Sequence, residues 1–260
     1  MKLKQNKKLS GDASFRSFYR TKESVLVYCK KQKRSNLLIY DAVNKILLKN
    51  KILVPKLISE NYNKNYIEIQ DFGNLTVFKK FKKKNNNKIY FFKKILRLLK
   101  KIQKIKVKKI KTFLRTEYEI SNYSNNKLIN EANLFLEWYL PKYIKGNKKI
   151  VLKKKILKIF KNLTEQLIYK KNVFVHRDFH VSNIMITKKG LALIDNQDAI
   201  FGNVAYDLAS LIDDVRFKSN TKTKKFIFNE FLKMNKSLNK EKFINDFEIL
   251  SVMRNLKIIG

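Results

Sequence analysis

The chain has 260 residues, of which 44% are hydrophobic and 12% aromatic, and this composition excludes disorder along the whole length. A single cysteine, Cys29, excludes a disulfide framework within the chain and suits a reducing cytoplasm. Basic residues outnumber acidic residues by 59 to 21, and since this charge of +38 is spread along the whole chain, we interpret it as a compositional bias with a solvated surface and not as a nucleic-acid site.

The first third of the chain is rich in predicted strands. Short β-branched and aromatic runs at 14–19 and 25–29 predict a hairpin, and the apolar spacing over 37–47 predicts a helix. Residues 66–70 alternate as a strand does. The lysine- and asparagine-rich stretch 79–88 is typical of an exposed turn.

The rest of the chain is predicted to be mainly helical, with a small β segment. Helices are expected at 91–102, 134–139 (ending near Pro141), 152–167 and 207–215, and short strands at 174–175, 184–186 and 191–194. A strand-rich front and a helix-rich back predict two lobes with a cleft, the first over residues 1–78 and the second over 79–260. The last residues, 253–260, resemble the start of an apolar helix, which suggests a shortened chain.

One segment carries the pattern of a phosphoryl-transfer site. Residues His176-Arg177-Asp178 and, five positions after the aspartate, Asn183 spell H-R-D-x-x-x-x-N, the catalytic-loop pattern of kinases. The Asp takes a proton from the acceptor hydroxyl, and the Asn is a magnesium ligand. A second metal-binding acid should end the next hairpin, and Asp195 follows an apolar strand twelve residues after Asn183.

Chance register is the alternative interpretation of this motif. Against it, the two histidines of the chain, His176 and His180, both lie inside the motif, and predicted strands flank it. A second pattern, Asp71-Phe72-Gly73, spells the metal-binding triplet of protein kinases, but it precedes the catalytic loop. We therefore interpret it as a strand end and a hinge, where backbone groups between Gln70 and Phe72 would contact adenine.

Three segments together resemble the aminoglycoside phosphotransferase/choline kinase superfamily: 176–183, 193–199 and 205–211. Residues 11–20, 136–140 and 254–258 resemble a bacterial subgroup, the N-acetylmuramate/N-acetylglucosamine anomeric kinases of cell-wall recycling. The resemblance implies an α+β, protein-kinase-like two-lobed fold, with a small β-rich N-terminal nucleotide-binding lobe and a larger, mostly helical catalytic lobe. It also implies ATP and Mg²⁺ as cofactors.

The resemblance also implies roles for individual residues. Asp178 would be the catalytic base, and Asn183 and Asp195 would be the magnesium ligands. Asp207 would be a buried acid that supports the catalytic loop; its alternative interpretation is a helix N-cap before Leu208, and the two are compatible. His176 is expected to be structural, whereas His180 could contact substrate or pack.

The nucleotide phosphates are expected to lie under a small-residue loop, where backbone N–H groups can approach them. The loop residues are Gly11, Asp12, Ala13 and Ser14, followed by Arg16. An ordinary polar turn is the alternative. The superfamily's lysine in the second strand has no counterpart here, which leaves Arg16, Arg20 and Lys30 as candidate cations. Asn196 also departs from the apolar residue that usually follows the metal-binding acid.

The predicted function is transfer of the γ-phosphoryl group of ATP to a small molecule, with N-acetylmuramate or N-acetylglucosamine as the leading acceptors. N-acetylmuramate carries a carboxylate, which suits a basic site. Another alcohol (an aminoglycoside, choline or homoserine) is the alternative acceptor, and choline would require an aromatic cage to which Trp138 and Tyr139 could contribute. A basic nucleic-acid-binding protein or pseudokinase is the alternative outside enzymes. We expect a cytoplasmic monomer without a membrane partner or a specific nucleic-acid partner.

Overall fold

The structure is a computed structural model that describes residues 7–9, 16–83, 87–169 and 172–260. The strands are β1 (Lys7–Leu9), β2 (Arg16–Arg20), β3 (Ser24–Cys29), β4 (Leu57–Asn61), β5 (Tyr66–Gln70), β6 (Lys109–Lys111), β7 (Glu117–Glu119), β8 (Val173–Val175), β9 (Ile184–Thr187), β10 (Gly190–Leu193) and β11 (Ile200–Gly202). The helices are α1 (Ser35–Lys49), α2 (Val77–Lys82), α3 (Lys88–Gln103), α4 (Asn125–Leu134), α5 (Leu140–Tyr143), α6 (Gly146–Glu165), α7 (Tyr206–Ile212), α8 (Thr221–Met234) and α9 (Lys240–Ile259).

The described residues form two compact units, which do not follow one cut in the sequence. The first, here called the sheet unit, contains the described residues up to 83 together with 105–120 and 182–199. The second, the helix unit, contains residues 87–104, the described part of 121–181, and 200–260. Asn183 and Asp195 therefore belong to the sheet unit, and Asp178 and Asp207 belong to the helix unit.

The sheet unit is built on a five-stranded antiparallel sheet with the order β1-β2-β3-β5-β4. The predicted hairpin is confirmed as β2 and β3, in which Arg16 pairs with Cys29 and Arg20 with Val25. Helix α1 supplies Leu37 and Tyr40 to the apolar core of this unit. The strand side chains in the same core are Val25, Val27, Cys29, Ile67 and Ile69.

The helix unit is a set of packed helices with a short antiparallel pair of strands, β8 and β11. Helix α9 packs against both α4 and α7, and α3 packs against α8. The apolar stripe predicted for α3 is confirmed, since Ile95, Leu99 and Ile102 are fully or almost fully buried. No helix in the described stretches is long and apolar enough to cross a membrane.

Two predictions about local structure are wrong. Residues 79–82 are not part of an exposed turn but belong to α2, because Val77 and Phe81 bury one face of that helix. Residues 253–259 are the end of the long helix α9 and not the start of a new one. The helical segment expected to end near Pro141 is confirmed, since a π-helix over Phe135–Tyr139 continues into α5, which ends at Tyr143.

Candidate active site

The hairpin of β9 and β10 brings the two predicted metal ligands to one end of the same element. Ile184, the first residue of β9, pairs with Leu193, the last residue of β10. The next backbone contact outward is Ile194 N–H donating to the carbonyl of Asn183, at 3.1 Å. Asn183 and Asp195 consequently flank the open end of a hydrogen-bonded hairpin, as the sequence predicts.

Asp195 is held by its neighbours in an uncommon backbone conformation. Its φ is +62°, in the left-handed region that few non-glycine residues occupy. The carboxylate accepts a hydrogen bond from Gln197 Nε2 at 3.0 Å and one from Arg16 Nη2 at 3.5 Å. Arg16 Nη2 also lies 3.9 Å from the Asp198 carboxylate. A strained backbone stabilised by several side chains is common at functional sites.

The three candidate cations have different surroundings. The Arg16 side chain is only 5% exposed and lies beside Asp195. Arg20 donates to the Asp71 carboxylate and to the carbonyl of Gly73, both at 2.8 Å, so it is committed to the end of β5. Lys30 is exposed. Of the three, Arg16 is the cation that accompanies a predicted metal ligand.

Asn196, the departure from the superfamily pattern, is compensated by a second polar residue. Its side chain is fully buried, and Nδ2 donates to Asn44 Oδ1 at 2.8 Å. Asn44 in turn donates to the carbonyl of Pro55 at 3.1 Å. Buried amides are tolerated when they are hydrogen-bonded, and here Asn44 of α1 accepts the hydrogen bond of the Asn196 side chain. Asparagine can therefore replace the usual apolar residue at this position.

The donor atoms at the open end of the hairpin fit a magnesium ion. Asn183 offers an amide oxygen and Asp195 a carboxylate, the hard oxygen ligands that Mg²⁺ prefers. No group of three or more His, Cys, Asp or Glu side chains that could hold a metal occurs in the described part of the chain. At the usual magnesium site of phosphoryl-transfer enzymes, substrate phosphates and water complete a small set of protein ligands.

The predicted nucleotide contacts remain predictions. Gly11, Asp12, Ala13 and Ser14 lie outside the described residues. Gln70 ends β5 and its N–H donates to the carbonyl of Lys56 at 2.9 Å. The triplet that follows is a strand end, as predicted, with Asp71 accepting the N–H of Gly73 at 2.7 Å.

In the helix unit, Asp207 holds the start of the catalytic loop. Its carboxylate accepts the backbone N–H of His176 at 2.7 Å and that of Arg177 at 3.0 Å, and Arg177 has a φ of +74°. Burial, only partly offset by the charge of His176 and these two hydrogen bonds, raises the pKa of Asp207 to about 6. The N-cap alternative is wrong, because the N-cap of α7 is Ala205.

Glu131 of α4 is a site residue that the sequence analysis missed. Its carboxylate accepts from the guanidinium of Arg177 and from the hydroxyl of Tyr123, the latter at 2.6 Å. It also pairs with Lys257 Nζ at 3.0 Å. Arg177, the middle residue of the motif, is thereby attached to α4, and Lys257 is oriented by the same acid.

Asp178 is partly exposed and lies among cations. Burial opposes its charged form, but the surrounding positive charges, that of Lys257 first and that of Arg254 among them, outweigh burial and hold the pKa of Asp178 below its ordinary value. Its carbonyl accepts the N–H of His180 at 3.0 Å, which shapes the loop. The carboxylate is therefore ionised at neutral pH and able to accept a proton.

The two histidines of the motif are both buried. The ring of His176 makes an edge-to-face contact with Phe179, with centroids 6.2 Å apart, as expected of a structural residue. His180 Nε2 lies 3.2 Å from Arg216 Nη1. Burial and then the charge of Arg216 lower the pKa of His180 to about 3, so its imidazole is neutral at pH 7.

This fold and this motif are those of a phosphotransferase, and comparison of the chain with known proteins indicates the same class. A model of the phosphotransferase enzyme family (APH) matches residues 6–223, so the chain belongs to this family. It is similar to the N-acetylmuramate/N-acetylglucosamine kinase of Neisseria meningitidis, with 26% identity over 223 residues, which are 79% of this chain and 60% of that one. The chain thus spans about 60% of the length of that relative.

Two further comparisons cover more of the chain. The N-acetylmuramate/N-acetylglucosamine kinase of Pseudomonas aeruginosa is 24% identical over 96% of this chain and 74% of its own length. The solved structure of the aminoglycoside phosphotransferase APH(3″)-Id from Streptomyces rimosus, in complex with ADP and streptomycin, superposes with a TM-score of 0.62. At 12% identity over 95% of this chain and 93% of that one, it confirms the predicted α+β, protein-kinase-like fold.

Proposed function

We propose that the chain transfers the γ-phosphoryl group of ATP to a hydroxyl of an amino sugar, with N-acetylmuramate and N-acetylglucosamine as the leading acceptors. The observation that supports this best is Asp178, a carboxylate kept ionised by surrounding cations in a loop that Asp207 holds by two backbone hydrogen bonds. An ionised acid in a fixed loop is what a base acting on an alcohol requires.

In this proposal Asp178 accepts the proton of the attacking hydroxyl as its oxygen bonds to the γ-phosphorus, while the bond from that phosphorus to the bridging oxygen breaks and ADP leaves. In kinase-type transfer, positioning and charge neutralisation provide most of the acceleration, so the base mainly orients the hydroxyl. The low pKa of Asp178 suits that role, because its carboxylate is ready to accept a hydrogen bond over the whole neutral range. The histidines are not needed as proton carriers, and His180 is uncharged at pH 7.

Asn183 and Asp195 would hold Mg²⁺ through their side-chain oxygens. When bound, the ion neutralises the phosphate charge that grows during transfer. Arg16 lies beside Asp195, and we assign it the part of the missing strand lysine, binding nucleotide phosphate. Gly11 to Ser14 would cover the phosphates, and backbone groups between Gln70 and Phe72 would contact adenine.

The acceptor is proposed from the names of the relatives, which are N-acetylmuramate/N-acetylglucosamine kinases. The choline alternative receives little support from the structure. Trp138 is 64% exposed, so it forms no enclosed cage with Tyr139. We further propose that residues 1–78 and 79–260 act as nucleotide-binding and catalytic lobes, and that the chain works as a cytoplasmic monomer without a specific nucleic-acid partner.

The direct test is nucleotide turnover with a panel of acceptors. ADP formation is measured with N-acetylmuramate, N-acetylglucosamine, glucose, choline, homoserine and kanamycin, using wild type, Asp178→Asn, and Glu248→Gln as a matched control on the exposed face of α9. We expect turnover with the amino sugars, a fall in kcat of roughly 10²- to 10⁴-fold in Asp178→Asn, and no change in the control. Equal turnover in wild type and Asp178→Asn would refute the proposed base, and a preference for glucose or choline would refute the acceptor.

A further inference from the structure

Helix α9 carries two cations toward the catalytic loop. Arg254 and Lys257 are three residues apart, so they lie on one face of the helix. The charges of both act on Asp178, and that of Arg254 also acts on His180 and on Asp214. This end of α9 therefore belongs to the surroundings of the proposed base.

The cations near the loop differ in whether they have partners. Lys257 pairs with Glu131 at 3.0 Å. Arg216 contacts His180 at 3.2 Å and lies 3.9 Å from the Asp214 carboxylate. Arg254 is only 3% exposed, and its Nη1 is fully buried without a hydrogen-bond partner among the residues that the structure describes.

A buried guanidinium N–H group without a hydrogen-bond partner is costly, because a charge removed from water costs several kcal/mol unless an anion and hydrogen bonds compensate it. The charge of Arg254 acts on Asp178 and Asp214, but its Nη1 donates to neither carboxylate. Arginine presents a planar set of N–H donors that matches a carboxylate in two parallel hydrogen bonds. An anionic ligand group would supply the missing compensation at Arg254, and the partly exposed Asp178 beside it marks where an acceptor would enter.

We propose that Arg254 is a specificity-determining residue that binds the carboxylate of an anionic acceptor sugar. Lys257 and Arg216 add positive charge around it while keeping their own partners. This inference rests on the proposed function, because it assumes that the acceptor reaches Asp178. N-acetylmuramate and N-acetylglucosamine are suitable ligands for testing this role of Arg254, because they differ only in the lactyl ether that carries the carboxylate.

The experiment compares these two sugars as ligands and as substrates. Wild type, Arg254→Met and the control Lys242→Met, at an exposed lysine on the same helix, are examined by calorimetric titration, by steady-state kinetics and by thermal unfolding without ligand. In Arg254→Met we expect the Kd and KM for N-acetylmuramate to rise by roughly 10- to 100-fold, as for the loss of a charged hydrogen-bonded pair. N-acetylglucosamine should be affected little, and Tm should stay level or rise, because a buried guanidinium with an unsatisfied N–H group is removed.

Other outcomes overturn the inference in distinguishable ways. Equal effects of Arg254→Met on both sugars would assign Arg254 to the transferred phosphoryl group and not to the acceptor carboxylate. A fall in Tm with an unchanged ratio between the sugars would make it a structural residue. If wild type phosphorylates neither sugar, the proposed function fails, but the titration still tests the inference. The inference then requires that N-acetylmuramate binds to wild type and binds more weakly to Arg254→Met, and any other titration result overturns it.

Discussion

Asp207 shows how one buried side chain determines the shape of the catalytic loop. It is fully buried, and each of its carboxylate oxygens accepts one backbone N–H, from His176 and from Arg177. Arg177 adopts a left-handed backbone conformation that non-glycine residues rarely adopt without support. The two hydrogen bonds provide that support at the cost of burying a carboxyl group.

That cost predicts a pH dependence of stability. The pKa of Asp207 rises from an ordinary 3.8 to about 6 in the folded chain, so the folded state binds this proton more tightly than the unfolded state. Its contribution to stability is complete below pH 3.8 and is lost as pH rises through 6. Relative to Asp207→Asn, which does not titrate, wild type should lose about 2 kcal/mol of unfolding free energy between pH 4.5 and 7. Denaturant unfolding at both pH values measures this, and a constant difference would contradict it.

Arg16 is the second residue whose surroundings suggest a role. Its guanidinium lies near Asp195, whereas the other candidate cations are either committed to β5 or exposed. We expect Arg16→Gln to raise the KM for ATP by roughly 10-fold or more, as for loss of a charged contact to phosphate, with Lys30→Gln as the unaffected control. Initial-rate kinetics at saturating acceptor measure the effect. An equal, small change in both variants would remove Arg16 from the nucleotide site.

At the scale of elements, the β9–β10 hairpin is the part of the site that the sequence predicts best. Its strands are apolar, its turn contains Gly190, and twelve residues separate the two ligands. The structure confirms the hairpin, with a turn at residues 188–189 and Gly190 as the first residue of β10, where its carbonyl accepts a hydrogen bond from Thr187 Oγ1 at 2.9 Å. Local pattern and turn chemistry agree here, which is why the prediction succeeds.

The turn of this hairpin can be tested by one substitution. Gly190 has a φ of +122°, and a Cβ added there would meet no atom within 4 Å, so the cost of Gly190→Ala is backbone strain alone. We expect a loss of about 1–2 kcal/mol in the free energy of unfolding, with no loss for Lys189→Ala at the neighbouring exposed position. Equilibrium denaturation measures both. Equal stability of the two variants would show that the left-handed turn is not required.

Other elements were not predictable because their patterns are weak. Strand β4 is an edge strand whose residues are mostly exposed, and β11 has only three residues, so neither shows an alternating pattern long enough to detect. Helix α2 was obscured by its lysines, since only Val77 and Phe81, four residues apart, mark its buried face. In each case packing against neighbouring segments, and not local sequence, decides the structure.

The residues of the candidate site divide in the same way, into those that a local sequence pattern reveals and those that only tertiary packing brings together. Asp178, Asn183 and Asp195 follow the spacing of the kinase pattern, so the sequence alone marks them as candidates. Glu131 and Arg254 lie 47 residues before and 76 residues after Asp178, and tertiary packing alone brings their helices into the same unit. No short-range pattern distinguishes them from the other acids and bases of the chain.

At the scale of the whole molecule, the net charge of +38 arises mainly from residues other than those of the candidate site. Many lysines, such as Lys30, Lys189 and Lys242, are exposed and repel one another through solvent. The cations that matter to the proposal, Arg16 and Arg254, are buried. The excess charge would therefore support weak, salt-sensitive adhesion to nucleic acid, whereas phosphoryl transfer depends on a few enclosed groups.

The most direct measurement is phosphorus NMR of the chain mixed with ATP, Mg²⁺ and N-acetylmuramate, in wild type and in Asp178→Asn. We expect one sugar-phosphate resonance that grows in equal amount with ADP and whose formation is slowed at least 10²-fold in the variant. Formation of inorganic phosphate without sugar phosphate, or the same sugar-phosphate yield and rate in the variant, would contradict it.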